Sequence, residues 1–386
     1  MEKVKSRAGL EHHFDAILNN NYESIITHRK YSYGHNAIKS YVVECHLFKD
    51  ETSRDSITST VLTHAQTIES NAKLFDTEDE TLVFLTTEKA DYYLDFSNKR
   101  YIVLHTAEPT KVTDPFIKRF YTEKGFDSLW LPVPLLLQTN QFGRFWGMGV
   151  SFRDSIEEPS EQDNDLIEDI QDVSLSVKRH FAKNFFKLLM NSDLNRMMGI
   201  SRLSVLRSNF TNNTDEENRF IIDDIKYNGK LTAKGNSYAK HSRIVFELVK
   251  LYGEAITKLE SYGISFDEGF LSGNPITINF SQPVLPEKLV NLVFSGDEPF
   301  RLWGIEERLN DHEYRVYAVD MHHGNLGNRI MFEISPHFIR IALPKNSCAN
   351  TVFRLLANLN HYVDAMADLE VEGYELKVDL SGTGLS

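Results

Sequence analysis

The densest set of chemically capable side chains in this 386-residue sequence is Asp320-Met321-His322-His323-Gly324. Alternate residues of a strand share one face, so Asp320 and His322 point together, and His323 or His337 from the next hairpin can join them. Imidazole and carboxylate suit a divalent metal, which makes Asp320, His322 and His337 the candidate metal set. Asp320, His322 and His323 are the matching catalytic set for metal-assisted hydrolysis. A strand running into the Asn/Gly-rich turn Gly324 to Asn328 also gathers polar residues without a function, and that reading stands beside the first. Arg354, Asn358 and His361 recur at helical spacing. Their guanidinium, amide and imidazole donors can converge on a phosphate or carboxylate; the alternative is a solvated helix face. The sequence has no Gly-x-Ser-x-Gly elbow, Walker loop, His-Glu-x-x-His helix or calcium loop. Catalysis is left open and no cofactor is specified.

These residues need elements to hold them. Phe14, Ile17, Leu18, Tyr22, Ile25 and Ile26 step by three and four and predict an opening helix, followed by a weaker one through Ile57, Val61, Ala65 and Ile68. Thr81–Leu85, Asp91–Phe96 and Arg100–His105 are β-branched and aromatic and predict neighbouring strands. Asp114 and Pro115 predict a helix start, with Asp114 as cap and Pro115 in the first turn. Leu129–Leu137 and Phe145–Phe152 read as strands. Leu166, Ile170, Val173, Val177, Phe181, Phe185 and Leu188 predict one long helix from Asp163 to Met198, whose apolar stripe can serve as a coiled-coil seam or pack within its own domain. A polar loop is expected at Asn209–Asn218 and a helix over Asn236–Tyr262. Strands follow at Ile276–Phe280, Leu289–Phe294, Tyr314–Val319, Arg329–Ile334 and Phe338–Leu343, and Asn350 caps a last helix to Asp368. The fold class is therefore α+β. The expected domains are 14–198 and 199–386.

The first half resembles a GAF domain, the small-molecule sensor fold. The resemblance rests on the order helix, antiparallel strands, short helix ending at glycine, Leu129-Trp130-Leu131-Pro132-Val133-Pro134-Leu135, a turn, Gly143-Arg144-Phe145-Trp146-Gly147, an acidic stretch and an exit helix. It implies a pocket against the sheet, with Tyr92, His105, Trp130 and Trp146 offering rings and Ser128 and Arg144 polar contacts. It also implies an exit helix that bundles across a homodimer. No cysteine is placed to hold a bilin and the residue set of the cyclic-nucleotide subgroup is missing, so the ligand stays open.

Asp plus Glu number 55 and Lys plus Arg 42, a formal charge of -13 that disfavours a nucleic-acid groove. Only Cys45 and Cys348 are present, which points to a reducing compartment. The Met1–Phe14 segment lacks a secretory apolar core and Leu129–Leu137 is too short to span a bilayer, so a cytoplasmic protein without membrane insertion is expected. The leading expectation is a ligand-responsive signalling or regulatory protein with a small-molecule ligand, a protein partner and a homodimeric state. The alternatives are a metal-assisted hydrolase or nuclease acting through the second half, and a non-catalytic interaction module.

Overall fold

The computed structural model describes residues 4–28, 37–48, 51–122, 125–153, 172–192, 194–208, 219–267, 270–322 and 327–378. The protein is α+β, with helices set against antiparallel sheets. It forms two compact units, one from Met1–Leu129, Phe142–Arg144 and Ser204–Lys250, the other from Trp130–Gln141, Phe145–Leu203 and Leu251–Ser386. In chain order the elements begin with α1 (Arg7–His28), β1 (Ile38–Glu44), α2 (Arg54–Ile68), β2 (Lys73–Asp76), β3 (Leu82–Thr86), β4 (Asp91–Asp95) and β5 (Tyr101–Thr106). Next come α3 (Thr110–Thr122), β6 (Asp127–Ser128), α4 (Val133–Gln138), β7 (Arg144–Arg153), β8 (Asp172–Lys178), α5 (Ala182–Met190) and β9 (Ile200–Ser208). Then follow β10 (Phe220–Lys226), β11 (Lys230–Gly235), α6 (Tyr238–Glu260), β12 (Ser265–Asp267), β13 (Phe270–Ser272), β14 (Ile276–Asn279) and α7 (Pro286–Val293). The chain closes with β15 (Leu302–Asn310), β16 (Glu313–Asp320), β17 (Ile330–Ile334), β18 (Phe338–Ala342), α8 (Asn350–Tyr362), β19 (Asp368–Val371) and β20 (Tyr374–Leu376).

In the first unit the strands run antiparallel in the order β2-β3-β4-β5-β1-β11-β10. Strand side chains alternate between faces, and the two faces do different work. One face carries Tyr41, Val43, Val83, Leu85, Tyr92, Leu94, Ile102 and Leu104 into a core closed by Ile57, Val61 and Ala65 of α2 and Phe116, Ile117 and Phe120 of α3. Each large side chain buried there contributes about 1.5–3 kcal/mol. Ser53 caps α2 by accepting from the Ser56 N–H. The other face carries Ser40 and His105 beneath α1, whose buried Leu10, Phe14 and Leu18 step by four, and the start of α6. Asp15 of α1 accepts from the Tyr238 N–H at 2.6 Å and so caps α6.

The second unit contains a seven-stranded antiparallel sheet, β15-β16-β17-β18-β14-β19-β20, the β7–β8 pair and the small β12–β13 ribbon. Its core gathers Ile278, Val316, Phe332 and Ile341 with Leu289 and Val293 of α7 and Val352, Leu355, Leu356 and Leu359 of α8. Among the described residues, no helix is long and apolar enough to cross a membrane.

Four sequence expectations change. The helix expected over Asp163–Met198 is not formed: residues 163–171 lie outside the described residues, and Asp172–Lys178 pair with β7 from Gly147↔Lys178 to Arg153↔Asp172. Val173, Leu175 and Val177 alternate with polar residues, and this local period of two wins over a stripe that also fitted a helix. Helix reappears only in α5, where Phe181 just before it and Leu188 within it are exposed, so the continuous coiled-coil seam is lost. The Leu129–Leu137 strand is instead the helix α4. Pro132 caps it and Pro134 sits in the first turn, where a missing N–H costs nothing. Likewise Leu289–Phe294 lies mainly in α7, opened by Pro286 and buried at Pro286, Leu289, Val290 and Val293. Finally, Asp114 is not a cap, because α3 starts at Thr110, four residues earlier, with Pro115 inside it. The Asn209–Asn218 loop lies outside the described residues.

Candidate functional site

On the α1/α6 face of the first unit, four buried polar side chains form one hydrogen-bonded series. His241 Nδ1 lies 2.7 Å from Asp223 Oδ1, His241 Nε2 lies 2.7 Å from Ser40 Oγ, and His105 Nδ1 reaches the same hydroxyl at 2.6 Å. Rigid elements hold all four. Ser40 and His105 are register partners on β1 and β5, Asp223 lies on β10, and His241 comes from the first turn of α6. Ser40, Asp223 and His241 are fully buried and His105 is nearly so. Tyr238 covers the imidazoles, with ring centroids 5.6 Å from His105 and 5.8 Å from His241, and Phe14 of α1 packs on Tyr238 at 4.8 Å.

The chemistry of the donors orders the protons. Burial, then the neighbouring His241 charge, pushes the His105 imidazole down to about 3, so it is neutral near pH 7. With Asp223 ionised and His241 neutral, His241 donates from Nδ1 to Asp223 and its Nε2 accepts the Ser40 O–H. The Ser40 oxygen then accepts from His105 Nδ1. The result is a directed relay of carboxylate, imidazole and hydroxyl. The second carboxylate oxygen, Asp223 Oδ2, has no hydrogen-bond partner among the described residues.

A second polar cluster belongs to the second unit and unites residues that the sequence placed in separate sets. Arg354 of α8 donates to Asp320 Oδ1 at 2.5 Å and to the Phe300 carbonyl at 3.0 Å, and Thr351 donates to the same carboxylate. His322 Nδ1 stands 3.9 Å from Asp320 and its backbone N–H donates to Oδ1 at 3.0 Å. The cations and donors around Asp320 hold its carboxyl below the usual range despite its burial. The anion that Arg354 grips is thus a protein carboxylate. Asn358 donates to the Arg354 carbonyl and His361 Nδ1 pairs with the Ser151 carbonyl at 2.8 Å, so the α8 stripe is a buried packing face, neither solvated nor focused on one external anion. His337 is exposed in the β17–β18 turn, and His323 lies outside the described residues.

The residues expected to line a sensor pocket disperse. Tyr93 is the register partner of His105, so Tyr92 lies on the opposite face, stacked on Phe116 at 5.1 Å. Ser128 donates to the Asn228 carbonyl. Arg144 is exposed. In the second unit, the Trp130 N–H donates to the Tyr252 hydroxyl and Trp146 lies beneath the Arg179 guanidinium. Sequence reading found His105 but missed Ser40, Asp223 and His241. The available signal was a polar residue interrupting an apolar strand, Ser40 within Ile38–Val43 and Asp223 within Phe220–Ile225.

Fold and site together define an α+β protein with a buried Ser-His-Asp relay in its first unit. By sequence the chain belongs to the family of MJECL33-like proteins, whose model matches residues 1–378. It is 25% identical to the protein MJECL33 of Methanocaldococcus jannaschii, over 96% of this chain and 95% of that one.

Proposed function

We propose that the first unit is a serine-type hydrolase centre, with Ser40 as nucleophile, His241 as its base and Asp223 as the carboxylate that orients the base. The observation that carries this reading is the unbroken series Asp223, His241, Ser40 at 2.7 and 2.7 Å. Such a triad is recognised by geometry and roles, whatever the fold. In the reaction, Ser40 Oγ attacks a carbonyl carbon and its proton passes to His241 Nε2. Asp223 stabilises the imidazolium, which returns the proton to the leaving group; water then cleaves the acyl-enzyme by the same steps. His105 acts as a positioning residue, fixing the hydroxyl rotamer through its N–H.

The relay is closed in this conformation, so substrate entry requires α1 to lift. That helix is pinned at its start by Arg7, which donates to Asp79 at 2.8 Å and pairs with Asp95. The sensor reading has weaker support, because its expected ligand residues do not share a face. Hydrolysis through Asp320 is less favoured too, since Arg354 already occupies that carboxylate. The test is covalent capture by a fluorophosphonate: adduct on Ser40, abolished in Ser40→Ala and strongly slowed in Asp223→Asn, supports the reading. Adduct only on other serines counts against it.

A further inference from the structure

The opposite face of the same sheet holds a second buried polar cluster that the relay does not use. Lys39 on β1 and Lys230 on β11 are both nearly inaccessible, at 2% and 4% exposure. The register Lys39↔Thr232 and Tyr41↔Lys230 makes them diagonal neighbours on one face. Lys230 is matched: its ammonium pairs with Asp114 at 2.5 Å and lies 5.2 Å from the Tyr41 ring centroid, while the Tyr41 hydroxyl donates to the same carboxylate. Lys39 is not matched in this way. Its ammonium donates to the Glu108 carbonyl at 2.7 Å and the Ala107 carbonyl at 3.3 Å, and among the described residues no carboxylate contacts it.

An ammonium has three N–H donors, so one remains unused, and a buried charge without a counter-ion is costly. Burial, then the Lys230 charge, accordingly pushes Lys39 down to about 8. A second observation points to a missing partner. The Tyr92 hydroxyl is fully buried and has no hydrogen-bond partner among the described residues. Tyr92 lies on the Lys39 face, because Lys39 pairs with Thr106 on β5 and Tyr92 is next to Tyr93, the partner of His105. Asp114, 45% exposed at its side chain, joins the cluster to solvent.

We propose that Lys39, with the Tyr92 hydroxyl, forms a binding site for a small oxyanion, the carboxylate or phosphate group of a ligand. The spare N–H and the phenol O–H are both donors, and the anion supplies the counter-charge that the protein withholds from Lys39. Asp114 neutralises Lys230 and limits the site to an anion of low charge.

The test is calorimetric titration of the full-length protein with inorganic phosphate and, separately, with acetate at constant ionic strength. Lys39→Met is expected to weaken binding about ten- to hundredfold, the loss of a charge-assisted hydrogen bond. It should also melt higher than the wild type in anion-free buffer, since an unpaired charge is gone. Tyr92→Phe, which keeps the ring stacking, is expected to weaken binding several-fold and carries the test if the first variant does not fold. Phosphate binding alone or acetate binding alone, each lost in the variants, supports the site and identifies the anion. No binding of either anion, or equal affinity in both variants and the wild type, overturns it.

Discussion

Replacing His105 by Gln should blunt the acid sensitivity of the first unit by an amount that the structure fixes. In the folded protein burial pushes His105 down to about 3, whereas an unfolded histidine titrates near 6.5. Below pH 6.5 the unfolded chain therefore takes up a proton that the native state refuses, so stability is complete above that value and falls as the pH drops toward 3. Between pH 7 and pH 5 the loss from this one group is about 2 kcal/mol, since each pKa unit is worth ~1.36 kcal/mol and about 1.5 units are traversed. All three tryptophans, Trp130, Trp146 and Trp303, belong to the second unit, so fluorescence follows the wrong transition. Amide hydrogen exchange at β1 and β5, corrected for intrinsic rates, reads the first unit directly. On going from pH 7 to pH 5, wild-type protection there should fall about thirtyfold more than that of His105→Gln. Equal pH dependence in the two proteins would refute the reasoning, because it would mean that His105 is free to take its proton in the folded state.

Three further outcomes follow from the same geometry. His361, pushed down to about 4 by burial, should give the second unit a similar loss between pH 6.5 and pH 5, about 2 kcal/mol, visible in tryptophan-monitored urea unfolding and absent in His361→Gln. Asp320→Asn should cost about 3–5 kcal/mol because it strands the buried Arg354, and pairing it with Arg354→Met should recover much of that in the same assay. Gly199→Ala should cost about 1–3 kcal/mol, since a Cβ there would stand 2.6 Å from both His361 Nδ1 and the Ser151 carbonyl oxygen; an unchanged urea midpoint would contradict the packing.

The elements with a clear period were legible in the sequence. α2 buries Ile57, Val61, Ala65 and Ile68, and β16 and β17 show the expected alternation in burial. Errors arose where two periods fit the same letters. Val173 and Val177 suit a helix as spacing four and a strand as two steps of two, and only pairing with β7 decides. Val133–Leu137 is buried throughout, so it carries no face to read. Strands β1, β10 and β11 escaped notice because polar residues interrupt them. Those interruptions are the site itself: Ser40 and Asp223 are separated by 183 positions and meet only because β11 lies between β1 and β10. The Asp320 and Arg354 sets were each recognised, but their meeting in one ion pair is a tertiary fact with no local signature.

The most direct measurement for the proposed hydrolase centre is peptide mass mapping after fluorophosphonate treatment of the wild type and of Arg7→Gln, the variant that frees the start of α1. The account predicts a phosphonyl adduct on Ser40 in both, formed faster in Arg7→Gln and missing when Asp223→Asn is added. An unmodified Ser40 in both proteins, with hydrogen exchange showing α1 opened in the variant, would contradict it.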